Sequence, residues 1–186
     1  MLFAAFRRTD LNEMKRLLIL LSLALCAVTA AQAQDLSCTF TQKKTLKAVN
    51  KVIPGSGTVT FTAPDHLSMI YDEPKGEYLI IEGMQLKNAV KGKAITVDTS
   101  KNAYMRNLRN TLLNCITGNY EAAAKDNDAN LVVEEKSGIK TVTLLARKQA
   151  VKGYSRIVMD YNREGLPVRM VLDEFTGIET EYTFKY

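Results

Sequence analysis

Few residues in this chain have side chains that could do chemistry: His66, the triplet Gly55-Ser56-Gly57, the carboxylate pairs Glu134-Glu135 and Asp173-Glu174, and the cysteines Cys38 and Cys115. A catalytic triad or a histidine-rich metal site would have to use His66, because the sequence holds 1 histidine. In its alternating segment His66 shares a face with Ser68, opposite Leu67 and Met69, so it reads as a surface residue. Gly55-Ser56-Gly57 resembles half of a nucleophile elbow, but an elbow follows a strand and opens a helix, whereas this triplet precedes a strand and reads as a turn. The paired carboxylates are adjacent along predicted strands, so their side chains point to opposite faces and cannot share a substrate atom. No phosphate-cradling glycine loop, zinc-spaced Cys/His cluster or calcium loop is present. The chain is therefore read as a non-enzyme that needs neither metal nor cofactor.

The two cysteines depend on compartment. Lys15-Arg16, the apolar run from Leu17 to Ala31 and the small-residue exit Ala31-Gln32-Ala33 have the parts of a secretory signal peptide, with Met14 as the expected start and cleavage near Ala33. The apolar run is shorter than the roughly 20 residues a spanning helix needs. Export permits a disulfide between Cys38 and Cys115; the alternative is two small buried hydrophobes. Setting the leader aside leaves 21 basic against 18 acidic side chains, a net of +3, too mild to point to nucleic acid. The remaining chain, 34–186, is expected to be one domain acting as a monomer, long enough to fold without staples.

The elements that must position these residues are mostly strands. In Gly57–Pro74, Val59 and Phe61 alternate with threonines, Leu67, Met69 and Tyr71 alternate with polar residues, and Pro64-Asp65 supplies the turn. A short strand at Cys38–Lys43 precedes them, followed by a lysine-rich segment to Lys51 read as a solvated connection and a Pro54–Gly57 turn cluster. Further strands are expected at Tyr78–Ile81, Leu86–Val90, Ala94–Asp98, Leu131–Val133, Lys140–Ala146, Ser155–Tyr161, Pro167–Leu172 and Glu179–Tyr186, joined by short glycine-bearing turns. Between them, apolar residues from Tyr104 to Ile116 recur by threes and fours, which predicts a helix over Lys101–Thr117, with Ser100 as cap and Gly118 as the left-handed stop. Tyr120–Lys125 predicts a second short helical piece. The fold class is thus mainly β with a small helical insertion: a single curved antiparallel sheet of about eleven strands whose one apolar face the helix covers only in part.

The ordered segments Phe40-Thr41-Gln42-Lys43, Gly57–Phe61 with Ala63-Pro64 and Tyr71–Pro74, Ile80–Gly83, Ile157–Tyr161, Leu166-Pro167, and Asp173 with Gly177 and Thr180 resemble the periplasmic outer-membrane lipoprotein carriers called LolA, in particular their short members. The resemblance spans nearly the whole chain after the leader. It implies an open, strongly curved antiparallel half-barrel of about eleven strands covered by a helical lid, an apolar cavity that takes acyl chains of lipoproteins or related lipids, a periplasmic location, and handover from an inner-membrane transporter to an outer-membrane receptor. On this reading Val59, Phe61, Leu67, Met69, Tyr71, Leu79, Ile81, Ile157, Met159, Val168, Met170 and Leu172 line the cavity, and Leu108, Leu112 and Ile116 form the lid. Two departures stand out. Ala63 occupies the position where the family has a basic residue before the hairpin proline, and Gln34–Ser37 leaves no room for the usual N-terminal helix. The alternative is a structural or adaptor subunit of an envelope system exporting lipids or polyenes.

Overall fold

Residues 35–186 are described by a computed structural model of the chain. The leader reading, including its Met14 start and Ala33 cleavage point, lies outside the described residues. Eleven strands form one antiparallel sheet in the order β6-β5-β4-β3-β2-β1-β11-β10-β9-β8-β7. They are β1 (Leu36–Leu46), β2 (Lys51–Thr62), β3 (His66–Glu73), β4 (Tyr78–Glu82), β5 (Gln85–Val90), β6 (Lys93–Asp98), β7 (Ala129–Lys136), β8 (Ile139–Ala146), β9 (Tyr154–Tyr161), β10 (Pro167–Glu174) and β11 (Ile178–Lys185). The order is two meanders joined where β1 pairs β11, so the sheet stays open, an antiparallel half-barrel with β6 and β7 as its two edges. Helices α1 (Ala103–Ile116) and α2 (Tyr120–Asp126) connect those edges. A connection from one edge of a curved sheet to the other crosses its concave face, which is why the helical insertion becomes a cover.

Period-two alternation sets the register. On the concave face Phe61, Leu67 and Ile81 are direct cross-strand partners, as are Val59, Met69 and Leu79, and Leu172 with Ile157. Their apolar surface leaves water on one side only, the arrangement that pins an antiparallel register. The convex face carries charge. Arg169 donates to Asp160 and Glu181, and Lys47 and Arg156 pair with Asp173 and Glu179. These half-exposed pairs occupy the outward positions between the core residues, and their carboxylates include Asp173 of the candidate pair Asp173-Glu174.

Four local expectations are corrected. The lysine-rich segment and Pro54–Gly57 are strand, not connection and turn: β1 and β2 run on to a tight hairpin at Lys47–Asn50, with Pro54 paired to Lys43 and Gly57 to Phe40. A β-bulge lies between Ser56 and Gly57, and a Cβ on Gly57 would lie 2.1 Å from the Ile70 carbonyl oxygen. Glycine is there for close backbone approach, the use of strand glycine that composition alone reads as a turn. The helix cap is Asn102, whose Oδ1 accepts from the Met105 amide at 3.1 Å, while Ser100 lies in the preceding 3-10 turn. Another bulge, at Pro167–Arg169, puts fully buried Pro167 opposite Tyr161 and leaves Val168 half-exposed outside the core cluster. Finally, Cys38 and Cys115 are free, buried thiols rather than a disulfide. Cys38 lies on β1, whereas the Cys115 carbonyl accepts from Tyr161 of β9, three strands away in the sheet.

Candidate functional site

The concave face is built from the cross-strand rows above. Val59, Leu67 and Ile81 have no exposed surface, Met159, Met170 and Ile157 are 1% exposed, and Phe61, Met69 and Leu172 are also buried. Tyr71 and Leu79 are half-buried and pack against this cluster. Eleven of the twelve sequence-predicted lining residues therefore meet in one continuous apolar core, and Val168 is the one left out. Leu112 and Ile116 of α1 join the same cluster, with Leu108 packed against it, so the three predicted lid residues face the sheet.

Polar groups hold the centre of the face. Tyr71 donates to the Gln42 Oε1 at 2.7 Å and lies 3.3 Å from the Tyr182 hydroxyl, while Phe40 meets both tyrosine rings edge-on. Burial pushes the Tyr71 and Tyr182 hydroxyls above their ordinary range, so both stay neutral donors. This aromatic cluster fills the sheet where Gly57 has no side chain, because Phe40 stands opposite that glycine.

The lid is clasped at two points. Arg109, 8% exposed, donates from Nε to the Gly83 carbonyl at 2.6 Å and from Nη2 to Asp65 Oδ2 at 2.9 Å. These acceptors lie on the β4–β5 and β2–β3 turns, so one guanidinium ties α1 to both. At the other end Tyr161 of β9 donates its hydroxyl to the Cys115 carbonyl at 2.7 Å, filling one of the carbonyls a helix terminus leaves open. The interface between these clasps is apolar. Sequence reasoning missed Arg109, although its position was readable: Arg109, Leu112, Leu113 and Ile116 fall at i, i+3, i+4 and i+7, a core stripe headed by a cation. Ala63, beside this clasp, gives its amide to Asp35 and has no charge to add.

Two cavities open beside the helices. One of about 290 Å³ lies among Tyr120, Tyr161, Lys140 and Arg163 and is mostly polar. The other, about 320 Å³, lies between α1, the α2–β7 corner, the β8–β9 loop and Phe175 of the β10–β11 turn. Of the sequence-predicted site residues, only Leu108 lines it; none of the twelve concave-face residues does. His66 is exposed at the start of β3, and no group of three or more His, Cys, Asp or Glu among the described residues could hold a metal ion.

A sequence model of the family described as outer membrane lipoprotein carrier protein LolA matches residues 31–186. The chain belongs to the LolA family. That family is linked to lipoprotein binding and sorting, and its members are carriers and binding proteins rather than enzymes. Solved structures are similar at low identity. A LolA-superfamily protein of Nitrosomonas europaea is 9% identical, with TM-score 0.39, over 83% of this chain and 86% of that one. Lipoprotein LppX of Mycobacterium tuberculosis is 12% identical, with TM-score 0.36, over 83% of this chain and 87% of that one. The MucA/MucB complex of Pseudomonas aeruginosa matches at 11% identity and TM-score 0.41, over 83% of this chain and 52% of that chain. Likeness at this level carries no argument about ligand or partner. A search of curated protein sequences finds no match.

Proposed function

We propose that this LolA-family chain is a periplasmic carrier that takes the acyl chains of lipoproteins or related lipids between the concave sheet face and α1. In this role it moves cargo from an inner-membrane transporter to an outer-membrane receptor. The observation that carries the reading is the lid's construction: an apolar helix face on an apolar sheet face, held by one guanidinium clasp and one tyrosine hydroxyl. Lifting such a helix exposes two apolar walls, and an acyl chain replaces the lost contact at about 0.8 kcal/mol per buried CH₂. Methionines 69, 159 and 170 give those walls unbranched, polarisable side chains that adapt to chains of different shape.

Native mass spectrometry of the protein taken from the bacterial envelope, with uptake of a fluorescent fatty acid, tests this reading. A co-purified lipid and saturable uptake are expected; a strictly lipid-free protein with no uptake overturns it. A second reading, an adaptor subunit of an envelope export system, is favoured by the tight packing of the concave rows, in which Val59, Leu67 and Ile81 are already fully enclosed. It predicts that second outcome.

A further inference from the structure

The 320 Å³ cavity lies at the low end of the roughly 300–1,000 Å³ range of small-molecule sites, and its walls differ in character. Its floor is apolar where Leu108 and Tyr154 line it, and both side chains also pack against the core cluster. Phe175, Ala146 and Ala150 extend that floor. Its rim is charged. Lys148 and Lys152 project from the exposed β8–β9 loop and form no ion pair among the described residues. Of the two acidic residues in the lining, Asp128 pairs with Arg147 at 3.4 Å, whereas Asp126 accepts from the Asn114 amide at 3.3 Å, a partner that carries no charge. Two lysines thus face one carboxylate that has no cationic partner among the described residues, and the balance at the mouth is positive. Tyr104, Asn107, Thr111 and Asn127 add polar groups to the lining, with Asn127 donating to Thr111 at 2.8 Å, and the Tyr154 hydroxyl, which burial keeps neutral, has no hydrogen-bond partner among the described residues.

We propose that this cavity is the headgroup end of the ligand site and selects a single-chain amphiphile with an anionic head. The head lies between Lys148 and Lys152 with Tyr154 as a neutral donor, and the chain runs past Leu108 into the interior. An apolar floor that also packs on the core calls for a hydrocarbon tail, and a rim on which two lysines outnumber the one carboxylate without a cationic partner calls for negative charge. A carboxylate and a phosphate head share this chemistry. The proposal rests on the acyl-carrier reading and adds the position and charge of the head.

The test is competition against a fluorescent palmitate analogue bound to the full chain, using palmitate, hexadecanol of the same chain length, and lysophosphatidylglycerol. The anionic amphiphiles are expected to compete about five- to tenfold better than the alcohol, an advantage that shrinks with added salt. The double variant Lys148→Glu/Lys152→Glu, on an exposed loop, is expected to remove that advantage and leave hexadecanol unchanged. Which anionic competitor is stronger identifies a carboxylate or a phosphate head. Equal competition by palmitate and hexadecanol, unmoved by the double variant, overturns the headgroup assignment while the observed binding upholds the carrier. Failure of the probe itself to bind overturns both.

Discussion

Asp65→Asn is the most direct probe of the lid. The substitution keeps an acceptor oxygen for Arg109 and removes the charge it faces at 2.9 Å. The pair is asymmetric: the Arg109 side chain is 10% exposed and the Asp65 side chain 36%. Exposed ion pairs contribute about 0.2–1 kcal/mol, and stripping one partner from a fully buried pair costs about 3–5 kcal/mol. With one member a third exposed and an acceptor retained, the loss falls between these limits, at about 1–2 kcal/mol. That multiplies the population of the lid-open state roughly 5- to 30-fold. Hydrogen exchange reads this directly: amides of Leu112, Leu113 and Ile116 should exchange faster by that factor, while amides of the central strands β1 and β10 stay protected. Arg109→Met should raise the same amides, and the double variant should show less than the sum, because both changes remove one interaction. Unchanged α1 exchange, or equal acceleration across helix and sheet, would falsify the clasp: the first means the pair contributes nothing, the second that it supports the whole fold.

Other substitutions test the frame that carries the lid. Gly57→Ala places a methyl group 2.1 Å from the Ile70 carbonyl oxygen, where backbone has to move, and should lower the stability measured by urea unfolding by about 3 kcal/mol or more. Met69→Asp buries a carboxylate in a site 3% exposed and should unfold the domain or cost over about 4 kcal/mol, whereas Ile70→Asp, at a residue 44% exposed, should stay within about 0.5 kcal/mol by circular dichroism melts. The reverse ranking means the register is off by one residue. Burial pushes the Cys115 thiol from 9.0 up to about 12. Because the folded value is the raised one, this contribution is intact below about pH 9 and is lost as pH rises from there toward 12, at about 1.4 kcal/mol per pH unit. Cys115→Ala should therefore flatten the alkaline limb of the stability profile, and a profile that keeps its slope refutes the assignment.

What the sequence disclosed and what it hid divide along physical lines. Alternation in Val59–Phe61, Leu67–Tyr71 and Ile157–Tyr161 is local and periodic, so strands, faces and the concave rows were legible without coordinates. Bulges were not: Ser56/Gly57 and Pro167–Arg169 each shift the pattern by one residue, and only a neighbouring strand shows why. Counting in twos across such a bulge places Val168 inward, whereas the structure leaves it half-exposed. The 320 Å³ cavity was hidden for another reason. Tyr104, Tyr154 and Phe175 come from three distant segments, and nothing in the spacing of any one of them refers to the others.

The clasp joins these two cases. The family resemblance places a basic residue before the hairpin proline, and this chain has Ala63 there. The structure places a cation on the other partner: Arg109 of α1 reaches the hairpin turn at Asp65 and the next turn at Gly83. A clasp of this kind requires a donor cation on one element and acceptors on the other, and the attraction does not depend on which element supplies which. Guanidinium suits the helix side because it divides its donors between a carboxylate and a backbone carbonyl on two separate turns, a fork that an ammonium's point charge does not reproduce as well. Arg109→Lys should therefore keep the charge yet release one of the two turns. Its lid should open more readily than that of the unaltered chain and less readily than that of Arg109→Met, an ordering the same exchange measurement resolves.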